Sequence, residues 1–292
     1  MTQMSFLEHL EELRKRLIIS LIALVIGMAL AWPLVPAVQR FMQRPLMEPS
    51  LTQKWYYGLQ TWAAQKYPDL TRRLGGEPAP PKVTPHKLNY MAPLEPFLVQ
   101  MKISLVTGLA LALPIILYQL WLFFAPALYP NERKYVYYFV PTGTAAFIVG
   151  DLFFLYLVWP LIISFSLAYE SDTLFSMLNL THFVNFCLRL MLLFGLIFQM
   201  PLVLLILARA GLVHLDFLRR QRRLAILLSA VVAAFHADVV TMTVIAIPIY
   251  AMYEISILTI RLFGGPASQP ADATPAAVPA AESGVGPPAD LG

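Results

Sequence analysis

The chain is 292 residues long; 58% of the residues are hydrophobic and only 13% are charged. A soluble domain would carry about 25% charge, so the composition excludes a soluble globular protein and leaves a polytopic membrane protein. The net charge of +4 is small and the cations sit mostly beside apolar runs, without the aromatic-interleaved basic patch that single-stranded nucleic acid requires.

The N-terminus opens with Ser5-Phe6-Leu7-Glu8, a capping-box pattern that predicts a helix starting just before the membrane. Glu11–Lys15 and Glu12–Arg16 are i,i+4 pairs in the favourable Glu-first order. A first span is expected over Leu17–Val38. Arg14-Lys15-Arg16, an apolar stretch and Ala29-Leu30-Ala31 together also resemble a cleavable signal peptide. The apolar run continues through Trp32, Leu34 and Val35, however, and reaches the about 20 residues a crossing needs, which favours a retained helix.

From Gln39 to about Tyr90 the chain is polar and rich in proline and aromatic residues. Leu51–Leu74 is expected to hold one or two short amphipathic helices, and Gly75–Pro85 reads as a loop. A second span is predicted over Pro96–Phe124 with Pro114 inside it, a third over Tyr135–Ile163 and a fourth over Phe183–Ala208. The basic loop Gly211–Arg223 leads to two shorter apolar stretches, Leu224–Phe235 and Val239–Phe263. From Gly264 onward alanine, proline and glycine dominate, the composition of a disordered tail.

The expected fold is therefore an all-α integral membrane protein of six transmembrane helices, with short fifth and sixth spans. Residues 1–263 form the membrane domain, with an extended loop over about 47–90, and 264–292 form the tail. Arg14, Lys15, Arg16, Arg133, Lys134, Arg219, Arg220, Arg222 and Arg223 fall on one side, whereas Tyr169–Leu180 and His236–Asp238 on the other carry no Lys or Arg. The positive-inside rule makes the basic side, and with it both termini, cytoplasmic. The first loop dissents with eight cations, but at about 50 residues it is near the length beyond which the rule stops counting.

The stretch Gln119–Lys134, QLWLFFAPALYPNERK, turns at Pro126 and Pro130 and presents Glu132 against Arg133 and Lys134. On charge alone this is a solvated cluster of topology markers; the sharper reading is a carboxylate presented to a cationic partner. The stretch resembles the first cytoplasmic loop of the TatC family, the multi-spanning receptor subunit of the twin-arginine protein translocase. HLEELRKRL at His9–Leu17, RPL at Arg44–Leu46, Glu95-Pro96-Phe97 followed by Lys102, FGLIFQMP at Phe194–Pro201 and AIPIYAMYEI at Ala246–Ile255 carry the same resemblance, in order and correctly placed against the spans.

The resemblance implies a cytoplasmic face that binds the signal peptide of a folded cargo protein through two consecutive arginines. Glu12 and Glu132 match the family's recognition carboxylates, with Arg14, Lys15 and Arg133 beside them. The chemistry suits: a guanidinium is planar and permanently charged, and its forked donors fit a carboxylate. Without the resemblance Glu12 would be read as half of an intrahelical pair with Arg16.

Gln199 lies inside an apolar helix, where a polar group needs a partner or a wet cavity. The matching family position is glutamate or glutamine facing a groove, and an amide there cannot carry a proton. Asp151 and Arg189 fall outside the family pattern. Counted from the outer ends of their antiparallel spans they lie about 18 Å and about 9 Å deep, a candidate ion pair. The alternative is that Arg189 snorkels outward and Asp151 is neutral. Asp238 matches an acidic residue at the family's outer turn, although Phe235-His236-Ala237 lacks the usual proline-bearing run. Glu254 fits the pattern as an interhelical partner.

The sequence holds no Gly-rich phosphate loop, no HExxH and no paired cysteines, so neither an enzyme, a metal nor a cofactor is expected. The lone Cys187 excludes an intrachain disulfide. The resemblance implies energy from the proton gradient, single-span partners of the TatA and TatB type, and self-association in the complex. It also implies the cytoplasmic membrane of a prokaryote. A secondary transporter of a small solute is the rival from another class, though the chain shows no internal repeat and no matched pair of broken helices.

Overall fold

In a computed structural model of the chain, the described residues are 6–48, 51–68, 86–124, 136–167, 176–209, 211, 213–234 and 239–263. They form α1 (Phe6–Ala31), a 3-10 turn (Trp32–Leu34), α2 (Val35–Met47), α3 (Leu51–Lys66), α4 (Glu95–Phe124) and α5 (Val136–Phe153). A π-helical turn (Phe154–Val158) joins α5 to α6 (Trp159–Leu167), followed by α7 (Leu180–Phe198), α8 (Met200–Arg209), α9 (Leu215–Arg220), α10 (Arg222–Ala234) and α11 (Val239–Phe263). This is the expected all-helical membrane protein.

Among the described residues five stretches are long and apolar enough to cross a bilayer: Leu10–Met47, Glu95–Phe123, Tyr138–Leu167, Leu180–Arg209 and Thr241–Phe263. The sixth expected crossing is α10, whose 13 residues extend only about 20 Å against a hydrocarbon core of about 30 Å. Of the two spans expected to be short only this one is, since α11 runs for 25 residues. Its length follows from the sequence: Pro248 is the only breaker in an otherwise apolar run.

α1 lies along α4. A Cβ on Gly27 would stand 2.5 Å from the carbonyl oxygen of Gly108, so only glycine lets the two backbones come this close, as at small-residue contacts in membranes. The Ser104 hydroxyl donates to the Met28 carbonyl at 2.7 Å across the same contact. α1 is thus packed into the bundle and continues through the 3-10 turn into α2.

The main core joins α2, α4, the π-turn, α6 and α7 through Met42, Ile103, Phe154, Trp159 and Phe194. The buried Trp159 indole donates to the Met42 carbonyl at 2.8 Å, satisfying a polar group that would otherwise be costly there. In the long insertion α3 forms within the stretch where short helices were expected, and the Lys66 ammonium lies 5.1 Å from the Trp62 ring centre.

A second core gathers Trp121 of α4, Phe139 of α5, Leu205 and Ala208 of α8, Leu218 of α9, and Ile257 and Ile260 of α11. Trp121 and Phe139 stack with ring centres 4.5 Å apart. At this end of the bundle the Arg209 guanidinium donates to the Phe263 carbonyl at 3.2 and 2.7 Å. Here the chain leaves α4 and re-enters α5. At the opposite end, backbone bonds from Asn89 to Leu178 (2.9 Å) and from Leu180 to Asn89 (2.8 Å) tie the approach to α4 to the approach to α7.

Candidate functional site

Glu12 sits on the second turn of α1. Its Oε1 accepts from Arg16 Nε at 3.1 Å and from Arg16 Nη2, the i,i+4 pair that the sequence suggested. Arg16 does more than that pair required: its Nη1 donates to Oε1 of Gln119, near the end of α4, at 3.4 Å. The contact fixes the start of α1 against the last turns of α4, five residues before the helix ends. Glu12 and Arg16 keep side-chain exposures of only 21% and 20%, so the pair is shielded from bulk water and stronger than a surface ion pair. Glu12 Oε2 is buried and has no hydrogen-bond partner among the described residues. Arg14 and Lys15 are exposed on the same helix. Glu132 and Arg133 lie outside the described residues, as does Asp238.

Gln199 falls where α7 gives way to α8. Pro201 follows two residues on and lacks the N–H that would continue the ladder. The Gln199 side chain is buried and its Nε2 donates to the Gly143 carbonyl on α5 at 2.7 Å, while Oε1 has no partner. Among the described residues it is the one side-chain amide lining a cavity of about 600 Å³ between α4, α5, α7 and α8. The interhelical bond and the cavity position therefore coexist in one residue.

Asp151 and Arg189 are not joined. Asp151 is 5% exposed and its Oδ1 has no partner, whereas Arg189 is exposed. The reason is rotational. α5 meets α7 around Gly150 through Phe194 and Phe198, which at about 100° per residue lie roughly 140–180° around the helix from Arg189. The depth estimate allowed a pair, but the two side chains leave their helices on different faces.

Glu254 on α11 accepts from Arg222 Nη2 of α10 at 3.0 Å and from the Tyr250 hydroxyl at 2.7 Å. From the residue before Glu254, the Tyr253 hydroxyl donates to the Leu218 carbonyl at 2.7 Å. Together these bonds tie α9 and α10 to α11.

One residue was quoted in the sequence pattern without a role. Glu95 starts α4, and its Oε2 accepts from the backbone N–H of Met91 (2.8 Å) and Ala92 (3.3 Å). Its Oε1 accepts from Asn179 Nδ2 (3.0 Å) and from the backbone N–H of Thr181 (3.3 Å). Asn179 in turn caps α7 by accepting from the His182 N–H at 3.0 Å. One carboxylate thus closes a helix start and staples α4 to α7. An acidic residue before Pro96 is the available sequence signal, because helix starts favour both.

A family model described as Sec-independent protein translocase protein (TatC) matches residues 8–248. The protein of that name from Desulforapulum autotrophicum is 34% identical over 261 residues, covering 89% of this chain and 85% of the relative. The one from Aquifex aeolicus is 32% identical over 262 residues, covering 89% and 95%. A crystal structure described as the twin arginine translocase receptor TatC superposes with a TM-score of 0.66 at 32% identity, over 87% of this chain and 99% of that one. The residues matched by the family model include Glu12, the first four crossings and the Gln199 cavity, and end within α11. On fold and sequence together, this chain belongs to the TatC family of Sec-independent protein translocase proteins, multi-pass membrane proteins of transport and not enzymes.

Proposed function

We propose that the chain is the signal-peptide receptor subunit of a twin-arginine translocase, and that Glu12 and Glu132 together hold the two cargo arginines. The observation that carries this reading is the state of the Glu12 carboxylate. One oxygen is engaged by Arg16, and the other has no partner among the described residues. That oxygen is buried, so a peptide guanidinium reaches it as the carboxylate turns outward from Arg16, and an acceptor left unpaired in the closed arrangement favours the exchange. The anchoring bond from Arg16 to Gln119 holds this carboxylate at the end of the bundle from which the Glu132 segment departs. Arg14, Lys15 and Arg133 set the register, since like charges keep the peptide's own cations on the carboxylates.

Both termini lie on the cytoplasmic side in this reading, in the cytoplasmic membrane of a prokaryote. The proton-motive force supplies the energy and TatA- and TatB-type single-span proteins dock on helix faces.

The test is photo-cross-linking of a twin-arginine peptide to the full chain in membranes, with Glu12→Gln and Glu132→Gln variants and a twin-lysine peptide. Loss of cross-linking in either variant, and weaker capture of twin-lysine, is the expected result. Undiminished cross-linking in both variants overturns the assignment.

A further inference from the structure

Two cations inside the spans have no anion beside them among the described residues. Lys102, two turns into α4, is exposed and donates from Nζ to Asn185 Oδ1 on α7 at 3.0 Å. Arg189, one turn beyond Asn185 on the same face of α7, is also exposed. Among the described residues no carboxylate pairs with either: the ion pairs present engage Glu12, Glu48, Asp216 and Glu254. Glu95, two turns above Lys102, has both oxygens engaged by Met91, Ala92, Asn179 and Thr181. Unneutralised cations at membrane depth are costly and mark sites of function.

The same two helix faces continue into the apolar cavity. Leu109 on α4 lies seven residues beyond Lys102, about 10 Å along the helix, and Leu192 on α7 lies one turn beyond Arg189; both line the cavity. Its lining is aliphatic and aromatic apart from Gln199, and its volume of about 600 Å³ falls within the ~300–1,000 Å³ of ligand-sized sites. The face is thus cationic nearer the Glu95 end and apolar toward the bundle centre. That polarity matches a lipid of the leaflet at the Glu95 end, whose headgroup lies outward and whose tail points to the midplane.

We propose that this face binds an anionic phospholipid, with its phosphate on Lys102 and Arg189 and one acyl chain descending past Leu109 and Leu192 into the cavity. Asn185 holds the lysine toward the phosphate, and the arginine supplies the forked donors that phosphate oxygens favour. The site is separate from the twin-arginine reading: it lies toward the other end of the bundle from Glu12, and its occupant is a lipid.

The experiment is native mass spectrometry of the full chain released from detergent holding equal amounts of phosphatidylglycerol and phosphatidylcholine. The wild type is expected to retain phosphatidylglycerol about tenfold over phosphatidylcholine, the effect of roughly one to two basic contacts. Lys102→Gln/Arg189→Gln is expected to lose the preference and Lys102→Arg/Arg189→Lys to keep it. Leu192→Trp, which fills the cavity without touching the charges, is expected to lower retention of both lipids. No headgroup preference in the wild type, the outcome if Arg189 merely snorkels to the interface or awaits an acidic partner helix, overturns the proposal. So does a preference that survives Lys102→Gln/Arg189→Gln. Because the first outcome needs no variant, a misfolded mutant cannot protect the idea.

Discussion

Arg16 and Gln119 are 103 residues apart in sequence, and the bond between them joins the foot of α1 to the last turns of α4. Arg16 is at the same time the cation that fixes Oε1 of Glu12. One guanidinium therefore positions the carboxylate and anchors its helix. Arg16→Lys is expected to weaken twin-arginine peptide binding more than a charge count suggests, because an ammonium cannot span both acceptors. Glu12→Gln removes the charge itself, and hydrogen bonds to charged groups are worth about 1.5–3 kcal/mol. Peptide affinity should fall by roughly one to two powers of ten in a fluorescence titration. An Arg16→Lys affinity equal to wild type would show that Arg16 is a bystander.

Gly27 and Gly143 are both tight, for different reasons. At Gly143 an added Cβ would meet the ends of Leu117 and Leu202 at 2.7 Å and Gln199 Oε1 at 3.2 Å, groups that can yield. Overpacking of this kind costs typically 1–3 kcal/mol. At Gly27 the obstacle is the Gly108 backbone carbonyl at 2.5 Å, which moves only if α1 separates from α4. Gly27→Ala is expected to lower the Tm in detergent well below that of Gly143→Ala. Gln199→Leu should be milder than either, as interhelical hydrogen bonds in membranes average about 0.6 kcal/mol. The reverse order would mean that polar contacts, not close backbone approach, set the stability.

Hydrophobic runs, proline positions and the order of motifs made the helices legible in the sequence, and the i,i+4 spacing already paired Glu12 with Arg16. What stayed hidden depended on helix rotation and long-range contact. Asp151 and Arg189 have compatible depths, but depth along an axis says nothing about azimuth, so a pair that counting allowed is absent. Gln119 gave no sign of meeting Arg16, because a neutral amide at the end of an apolar helix reads as an interface residue. Glu95 lay within a quoted motif, yet its four donors come from segments on both sides of α4. Glu132 lies outside the described residues, so its convergence with Glu12 rests on the resemblance and on the test above.

The separation of Asp151 from Arg189 has its own consequence. Side chains without shared partners contribute additively, within about 0.3–0.5 kcal/mol. Asp151→Asn and Arg189→Gln should therefore add in the double variant, and the charge swap Asp151→Arg/Arg189→Asp should not rescue stability. Thermal unfolding of the wild type and these four variants in one detergent reads this directly. Rescue by the swap would establish a pair that the structure does not contain.

Glu95 makes a sharper demand than a generic helix cap. Its two oxygens accept four bonds, three of them from backbone N–H groups. Glu95→Gln keeps the shape but turns one acceptor into an NH2 group facing donors. Amide exchange at Met91 and Thr181 should accelerate in Glu95→Gln, at both helix starts together, since one carboxylate serves both. Faster exchange at Met91 alone would mean that the staple to α7 is held by the backbone bonds of Asn89 with Leu178 and Leu180 and not by Glu95.

α10 supplies the last test. Thirteen residues reach about 20 Å, roughly 10 Å short of the hydrocarbon thickness. The helix nevertheless packs beside α11, which is long enough to cross alone. A short span is accommodated by bilayer thinning or by shielding of its ends, each at a modest cost per ångström. Leu224, Ile226, Leu227 and Leu228 are exposed on its first turns, so one face of α10 meets lipid and shielding is incomplete there. The expected outcome is local thinning, read as shallower apparent depth for spin labels placed along Leu224–Ala234 than for labels at matching heights on α4. Depths that agree between the two helices would mean that the membrane keeps its ordinary thickness beside α10, and that its ends are covered by other protein.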